Sequence, residues 1–336
     1  MENKKILVLG STGAMGQYLV PFLAEKGYSI TAVSLDDETP CAPNVTCVKG
    51  NAKDPDFLKS LLAQKFDAAV DFMIYWDRDF PSFYKLYLEN VGHYIFLSSC
   101  RVYANEEWPV KETSPRLLDV STDPDLLASN DYCIHKAKAE NILLTSDYPN
   151  WTIVRPATTF SRLRYQLVTL EAPNTVGRAL AGKKVVLPIQ AKDIPATLCW
   201  GGDVAKMIGN LLFKEEAKRQ IFNVCSAESH TWGEIAQYYK DIIGLESIWI
   251  DKEDYLKIMD PEVRLPYRWQ LEYARMFNRI TDNSKVLSVT GMKQEELMRL
   301  YDALKLMIEA RPEGYVFPET EVGQRMDAYL ETHGLN

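Results

Sequence analysis

The chain has 336 residues, a net charge of −8 and an apolar fraction of 46%. That is enough for one large α/β domain with an appendage, or for two units. The acidic balance excludes a general basic footprint for nucleic acid, and no run of roughly 18 apolar residues offers a helical membrane span.

The first predicted element is a strand at Ile6-Leu7-Val8-Leu9, which runs into Gly10-Ser11-Thr12-Gly13-Ala14-Met15-Gly16 and then an amphipathic helix. Glycines three apart between a strand and a helix suit a diphosphate. Gly10 takes a backbone angle that a Cβ forbids, Gly13 allows close approach, and Gly16 lets helix and strand pack. Free N–H groups at the helix start, over Thr12, Ala14 and Met15, then face the phosphates. The chain before this strand, Met1 to Lys5, leaves no room for a signal peptide.

A second strand is predicted over 27–34. It puts Ser34 where dinucleotide folds often place a ribose-binding acid, with Asp36, Asp37 and Glu38 just beyond. No Arg or Lys stands there to hold a 2′-phosphate, so NAD is favoured and NADP stays open. The three acids read equally well as a solvated loop. The third strand, 45–51, brings Asn51 and Ala52 to the adenine end. A helix over 54–64 with Asp54 as its cap follows, and then a fourth strand over 67–74. Phe72 and Met73 at its end read as cofactor neighbours or as core. A helix over 81–90 and a fifth strand ending at Leu97 continue the alternation. That alternation predicts a parallel sheet covered on both faces, with ligands at the carboxyl ends of its strands.

Past the fifth strand comes Ser98-Ser99-Cys100-Arg101-Val102-Tyr103. Further on, Tyr132 and Lys136 lie four apart on one helix face, with Ser129, Asn130 or Asp131 as the cap. A phenol with a pKa near ~10 is a poor base at neutral pH, and a nearby ammonium lowers that value. Such a tyrosine passes a proton to or from a hydroxyl while a hydride moves to nicotinamide, and a serine hydroxyl holds the reacting oxygen. His135, between them, reads as a surface histidine without a role.

In this order, G-x-x-G-x-x-G, Ser-Ser-x-x-Val-Tyr, Tyr-x-x-x-Lys and Arg155-Pro156 resemble the extended (atypical) short-chain dehydrogenase/reductase family, which includes NAD-dependent epimerases and dehydratases of nucleotide sugars. The likeness runs from Lys5 to about Lys206. It implies Tyr132 as general acid/base, Lys136 as the residue on the nicotinamide ribose, and Ser99 as the catalytic hydroxyl, with Ser98 in a backbone role. It also implies that the segment after Arg155 lines the carboxamide through Pro156, while Arg155 itself reads as an ion-pair former. The implied fold is α/β: a Rossmann-type doubly wound parallel sheet over about 1–170, with return segments near 196–225. A smaller, discontinuous substrate-binding lobe takes most of 171–336.

In that second half helices are expected over 174–182, 231–243, 293–310 and 326–333. Strands are expected over 185–188 and 220–224, and Asp203-Val204-Ala205 opens a further helix. An arginine that often precedes this triplet in the family is missing from Lys192-Asp193-Ile194-Pro195. Arg162 and Arg164 read as solvated charges or as holders of an anionic substrate. Tyr103, and the aromatics Trp249, Tyr255, Tyr267, Trp269 and Tyr273, read as packing residues or substrate neighbours. Six scattered cysteines without a C-x-x-C pair, and only four histidines, predict reduced thiols and no metal site.

The expected function is therefore an NAD(P)-dependent epimerase, dehydratase or oxidoreductase, cytoplasmic, acting on a secondary alcohol of a small sugar-like molecule, nucleotide-linked or free. No nucleic acid or membrane partner is expected, and the resemblance implies a homodimer. The alternatives are a carbonyl reductase of an unlinked small substrate, or a non-catalytic dinucleotide-binding sensor or RNA-associated relative, like the chloroplast stem-loop RNA-binding proteins of the superfamily.

Overall fold

The computed structural model describes residues 4–335 apart from Asp77 and Asn130. The lead-in Met1-Glu2-Asn3, and Asn130 as a helix cap, lie outside the described residues.

Residues that alternate between two buried faces form the main sheet. In β1 (Lys5–Leu9), Ile6 and Val8 join one apolar cluster and Leu7 and Leu9 join another across the sheet. A strand buried on both faces is apolar throughout, with side chains divided by the period of two. The chain continues through α1 (Gly16–Glu25), β2 (Ser29–Ser34), β3 (Val45–Lys49), α2 (Pro55–Leu62), β4 (Phe66–Asp71), α3 (Phe80–Asn90) and β5 (Val91–Leu97). Asp54 caps α2 as expected, accepting from the Asp56 and Phe57 amides at 2.9 and 3.3 Å.

Two short helices, α4 (Leu117–Val120) and α5 (Pro124–Ala128), precede α6 (Tyr132–Leu144), which carries the Tyr-x-x-x-Lys pair. Its cap is Asp131, which accepts from Cys133 N at 3.0 Å. β6 (Trp151–Arg155) and the later β11 (Gln220–Asn223) complete seven parallel strands in the order β11-β6-β5-β4-β1-β2-β3. The order reverses between β1 and β4, the switch point at which ligands of such sheets bind.

The second half forms its own apolar cluster around Phe160, Trp232, Tyr239, Tyr255 and Leu304. It contains β7 (Thr158–Phe160), α7 (Val176–Leu180), β8 (Val185–Pro188), β9 (Pro195–Ala196) and β10 (Leu198–Trp200). After α8 (Gly201–Leu211) and the return through β11 come β12 (His230–Thr231), α9 (Trp232–Ile243), β13 (Ser247–Ile250), α10 (Lys252–Met259), α11 (Leu265–Gln270), α12 (Ser284–Thr290), α13 (Leu300–Glu309) and α14 (Glu321–Thr332). A reciprocal Thr231–Glu234 capping box starts α9, and Gly244 at φ 74° ends it.

Two expected helices differ. The stretch 174–182 is a 3₁₀ turn, Ala172–Asn174, followed by the short α7, because Thr175 leaves the helical region. The stretch 293–310 is a 3₁₀ turn, Gln294–Glu296, and then α13. Carboxylates from elsewhere capture an amide between them and the first amide of α13: Met298 N donates to Asp203 at 2.7 Å and Leu300 N to Glu228 at 2.8 Å. No helix among the described residues is long and apolar enough to cross a membrane.

Candidate active site

Two cavities open at the carboxyl ends of the strands. The first, about 390 Å³, is lined from the β1–α1 turn by Gly10, Thr12, Gly13, Ala14, Met15 and Gly16. The ends of β2 and β3 add Ser34, Asn51 and Ala52, and the ends of β4 and β5 add Phe72, Met73 and Leu97. The turn is as tight as its glycines suggest. Gly10 has φ 82°, and Gly13 N donates to Gly10 O at 3.0 Å. A Cβ on Gly13 would lie 3.1 Å from Gly10 O, and one on Gly16 only 2.3 Å from it. The amides of Ala14 and Met15 donate to no backbone carbonyl among the described residues. This cradle fits a dinucleotide diphosphate. Gly16→Ala is expected to cost about 1–3 kcal/mol by overpacking against main chain that cannot yield. It should also weaken NAD binding. Urea unfolding and an NAD titration check the two effects.

Sequence reasoning missed what backs this turn. A Cβ on Gly201 would sit 2.2 Å from Ala14 O, so the start of α8 is pressed onto the glycine loop. The Gly201-Gly202 pair was the available signal. Of the acids after β2, Asp36 lines the cavity, Asp37 pairs with Lys49 at 2.6 Å, and Glu38 accepts from Ser11 Oγ at 2.5 Å. Arg162 and Arg164 are both exposed, and Arg164 lines this first cavity together with Lys53.

The second cavity, about 220 Å³, is lined by Ser99, Tyr132 and Pro156. Ser99 begins a 3₁₀ turn, Cys100–Val102, and its Oγ accepts from Arg101 N at 3.1 Å. Ser98 is buried, and its N–H donates to Val154 O at 2.8 Å. Lys136 connects the two cavities. Its Nζ donates to Leu97 O at 2.6 Å and to Met73 O at 3.3 Å, both on residues of the first cavity, and lies 5.9 Å from the Tyr132 ring centre in the second.

Electrostatics here depart from expectation. Burial pushes the Tyr132 phenol above its usual value, and the charge of Arg101 and the Ser99 hydroxyl only partly oppose it. The cation acting on the phenol is Arg101, 5.4 Å from the ring, rather than Lys136. Burial pulls Lys136 down to about 8, with Asp71 and Glu140 holding it up. Burial pushes Asp71 up to about 6, although it accepts from Tyr94 Oη at 2.7 Å and Met73 N at 2.9 Å.

His135 is not a surface residue. It is fully buried, with the Trp76 ring 4.8 Å away and the Tyr132 ring edge-on at 5.5 Å, because α6 is covered on that side by the segment after β4. Tyr103 packs rather than bordering the site: it is buried and donates to Asn223 Oδ1 at 2.6 Å. Arg155 forms the expected ion pair, donating to Glu140 at 2.8 and 2.6 Å. Tyr255 and Trp269 are buried, and Tyr273 donates to Asp123 at 2.8 Å. Unforeseen in the second cavity are Arg275, the last residue of a π-helical turn, Leu271–Arg275, that no sequence pattern announced, and Arg279 just beyond it.

The NmrA-like family model matches residues 2–74, the glycine turn and the first four strands. A chloroplast stem-loop binding protein of 41 kDa from Arabidopsis thaliana is 28% identical over 252 residues, covering 70% of this chain and 62% of that protein. The chain therefore spans less than two thirds of that relative's length. Among solved structures, the UDP-glucose 4-epimerase of Thermotoga maritima with UDP-glucose aligns with a TM-score of 0.68 at 18% identity, over 91% of this chain and 97% of that one. The Bordetella bronchiseptica enzyme WbmG, in complex with NAD and UDP, aligns with a TM-score of 0.61 at 16% identity over 100% and 97%. These likenesses bear out the resemblance read from the motifs: the chain has the fold of the extended short-chain dehydrogenase/reductase family.

Proposed function

We propose that the protein is an NAD(P)-dependent epimerase, dehydratase or reductase that works on a secondary alcohol, or the matching carbonyl, of a small sugar-like molecule. The observation that carries this reading is Lys136, whose ammonium bonds two residues of the glycine-turn cavity while its helix neighbour Tyr132 opens into the other. The glycine turn would hold the diphosphate, Ser34 or Asp36 the adenosine ribose, and Lys136 the nicotinamide ribose. When bound, nicotinamide accepts or returns a hydride. Tyr132 moves the hydroxyl proton and Ser99 holds the reacting oxygen. Burial raises the phenol further above a value at which it is already protonated at neutral pH, which suits it as the acid in the reducing direction. The solved UDP-glucose 4-epimerase of this fold supports the reading, and NAD is the cofactor of choice because another neighbour, the Bordetella enzyme WbmG, is in complex with it.

The test is to purify the protein, titrate it with NAD and NADP, and pass it through gel filtration. Retained NAD marks an epimerase, whereas cofactor that exchanges freely and is reduced or oxidised by added alcohols or ketones marks a reductase. No binding of either nucleotide would end the proposal. The stem-loop binding relative favours a second reading, a non-catalytic RNA-associated protein. A shifted RNA in a gel, without NAD binding, would select it. The net charge of −8 weighs against it.

A further inference from the structure

The second cavity holds more positive charge than its neutral surroundings balance. Arg101, Arg275 and Arg279 all line it beside Ser99 and Tyr132. Of these three, only Arg101 has a carboxylate within ion-pair distance among the described residues, Asp131 at 3.1 Å. Arg275 donates to two neutral oxygens, Thr158 Oγ1 at 2.7 Å and Gln166 Oε1 at 3.0 Å. Glu171 acts on it through space, but that carboxylate takes its hydrogen bond from Gln166, at 3.2 Å. Arg279 spends its fork on the carbonyls of Tyr103 and Ala104, at 2.8 and 3.1 Å. That role is structural, but its charge remains.

Donors are also left over. The Nε atoms of both Arg101 and Arg275 are buried without a hydrogen-bond acceptor among the described residues. A guanidinium carries five N–H donors in a planar fork. Buried donors and charges without partners are costly, and folded proteins seldom retain them without a use. Burial and mutual repulsion draw Arg275 down to about 10, which still leaves it charged at neutral pH. At about 220 Å³ the cavity is smaller than the ~300–1,000 Å³ of a site for a drug-sized ligand, and so suits a compact molecule.

We propose that the substrate is a small anion, whose phosphate or carboxylate docks on Arg101 and Arg275 while its alcohol or carbonyl meets Ser99 and Tyr132. The identity of that reacting end rests on the function proposed above; the anion site does not. A guanidinium fork matches either oxyanion in a bidentate fashion. The anchor would lie in the same cavity as the reacting group, so it would select among substrates by charge and length.

Two probes test this at constant ionic strength set with chloride: inorganic phosphate and lactate. The full-length protein should show a saturable rise in thermal midpoint, and a measurable heat of binding, with at least one of them. Tighter phosphate binding identifies a phosphate ester, and tighter lactate binding a hydroxy acid. Arg275→Ala and Arg101→Ala should each weaken binding by roughly tenfold or more, the loss expected for a charge-assisted bond. Arg275→Lys keeps the charge without the fork, should fold if the alanine variant does not, and should bind weakly. The exposed Arg299→Ala serves as the control and should bind as the wild type does. No saturable binding of either probe, or binding that persists unchanged in the Arg275 and Arg101 variants, overturns the site. A parallel NAD titration separates the two proposals. Anion binding without NAD binding retains the anion site and removes the dehydrogenase reading, and NAD binding without anion binding does the reverse.

Discussion

Tyr132→Phe is expected to lower turnover by about 10²–10⁴-fold, the usual contribution of a positioned acid or base, while NAD affinity changes little. The phenyl ring keeps the packing against His135, 5.5 Å away, and the face offered to Arg101. Only the hydroxyl beside Ser99 is lost. Turnover that survives, measured with a substrate found by the cofactor assay, would refute the mechanism. The same assay against pH tests Lys136. Burial lowers its ammonium to about 8, so the ribose contact proposed for it and the bonds to Leu97 and Met73 should weaken as pH rises through that value. Asp71 is one of the groups that hold Lys136 up. Asp71→Asn should therefore move the alkaline fall in rate to lower pH, and an unmoved limb would show that the two groups are not coupled.

Glu140→Gln is expected to destabilise the fold by about 3–5 kcal/mol, the cost of leaving a buried charge without its counter-ion. Glu140 lies on α6, fully buried, and receives two bonds from Arg155 and one from Arg116 at 3.1 Å. Burial pulls the Arg155 guanidinium down, but Glu140 and Tyr103 more than reverse this, so the variant takes the main counter-ion from a buried guanidinium. Urea unfolding of the variant gives the loss directly. Replacing both partners, as Glu140→Leu with Arg155→Met, should recover much of it, because neither buried charge then remains unpaired. A double variant as unstable as the single one would place the effect in packing instead. The pair ties α6, which carries Tyr132, to the end of β6, which leads into Pro156.

Local chemistry made the N-terminal half legible. Gly10 takes a positive φ, a Cβ on Gly16 would collide with main chain and one on Gly13 would be tight, and Asp54 and Asp131 cap helices through their own side chains. The pairing of Tyr132 with Lys136 follows from helix geometry alone. Apart from the break at Thr175, where expectation and structure differ the cause lies outside the local segment. The 293–310 helix is broken by Asp203 and Glu228, carboxylates far away in the chain. His135 is buried because the segment after β4 folds over it. The Tyr132 phenol is raised because burial outweighs the cations near it.

By itself, then, the sequence determined the alternating strands and helices, the glycine cradle and the serine–tyrosine–lysine set, since periodicity, capping and backbone steric limits act over a few residues. Only the tertiary structure decided that Arg275 and Arg279, from a part of the chain without a motif, join Arg101 in the cavity of Tyr132. Charge and burial depend on neighbours distant in the chain, and no spacing along it records them.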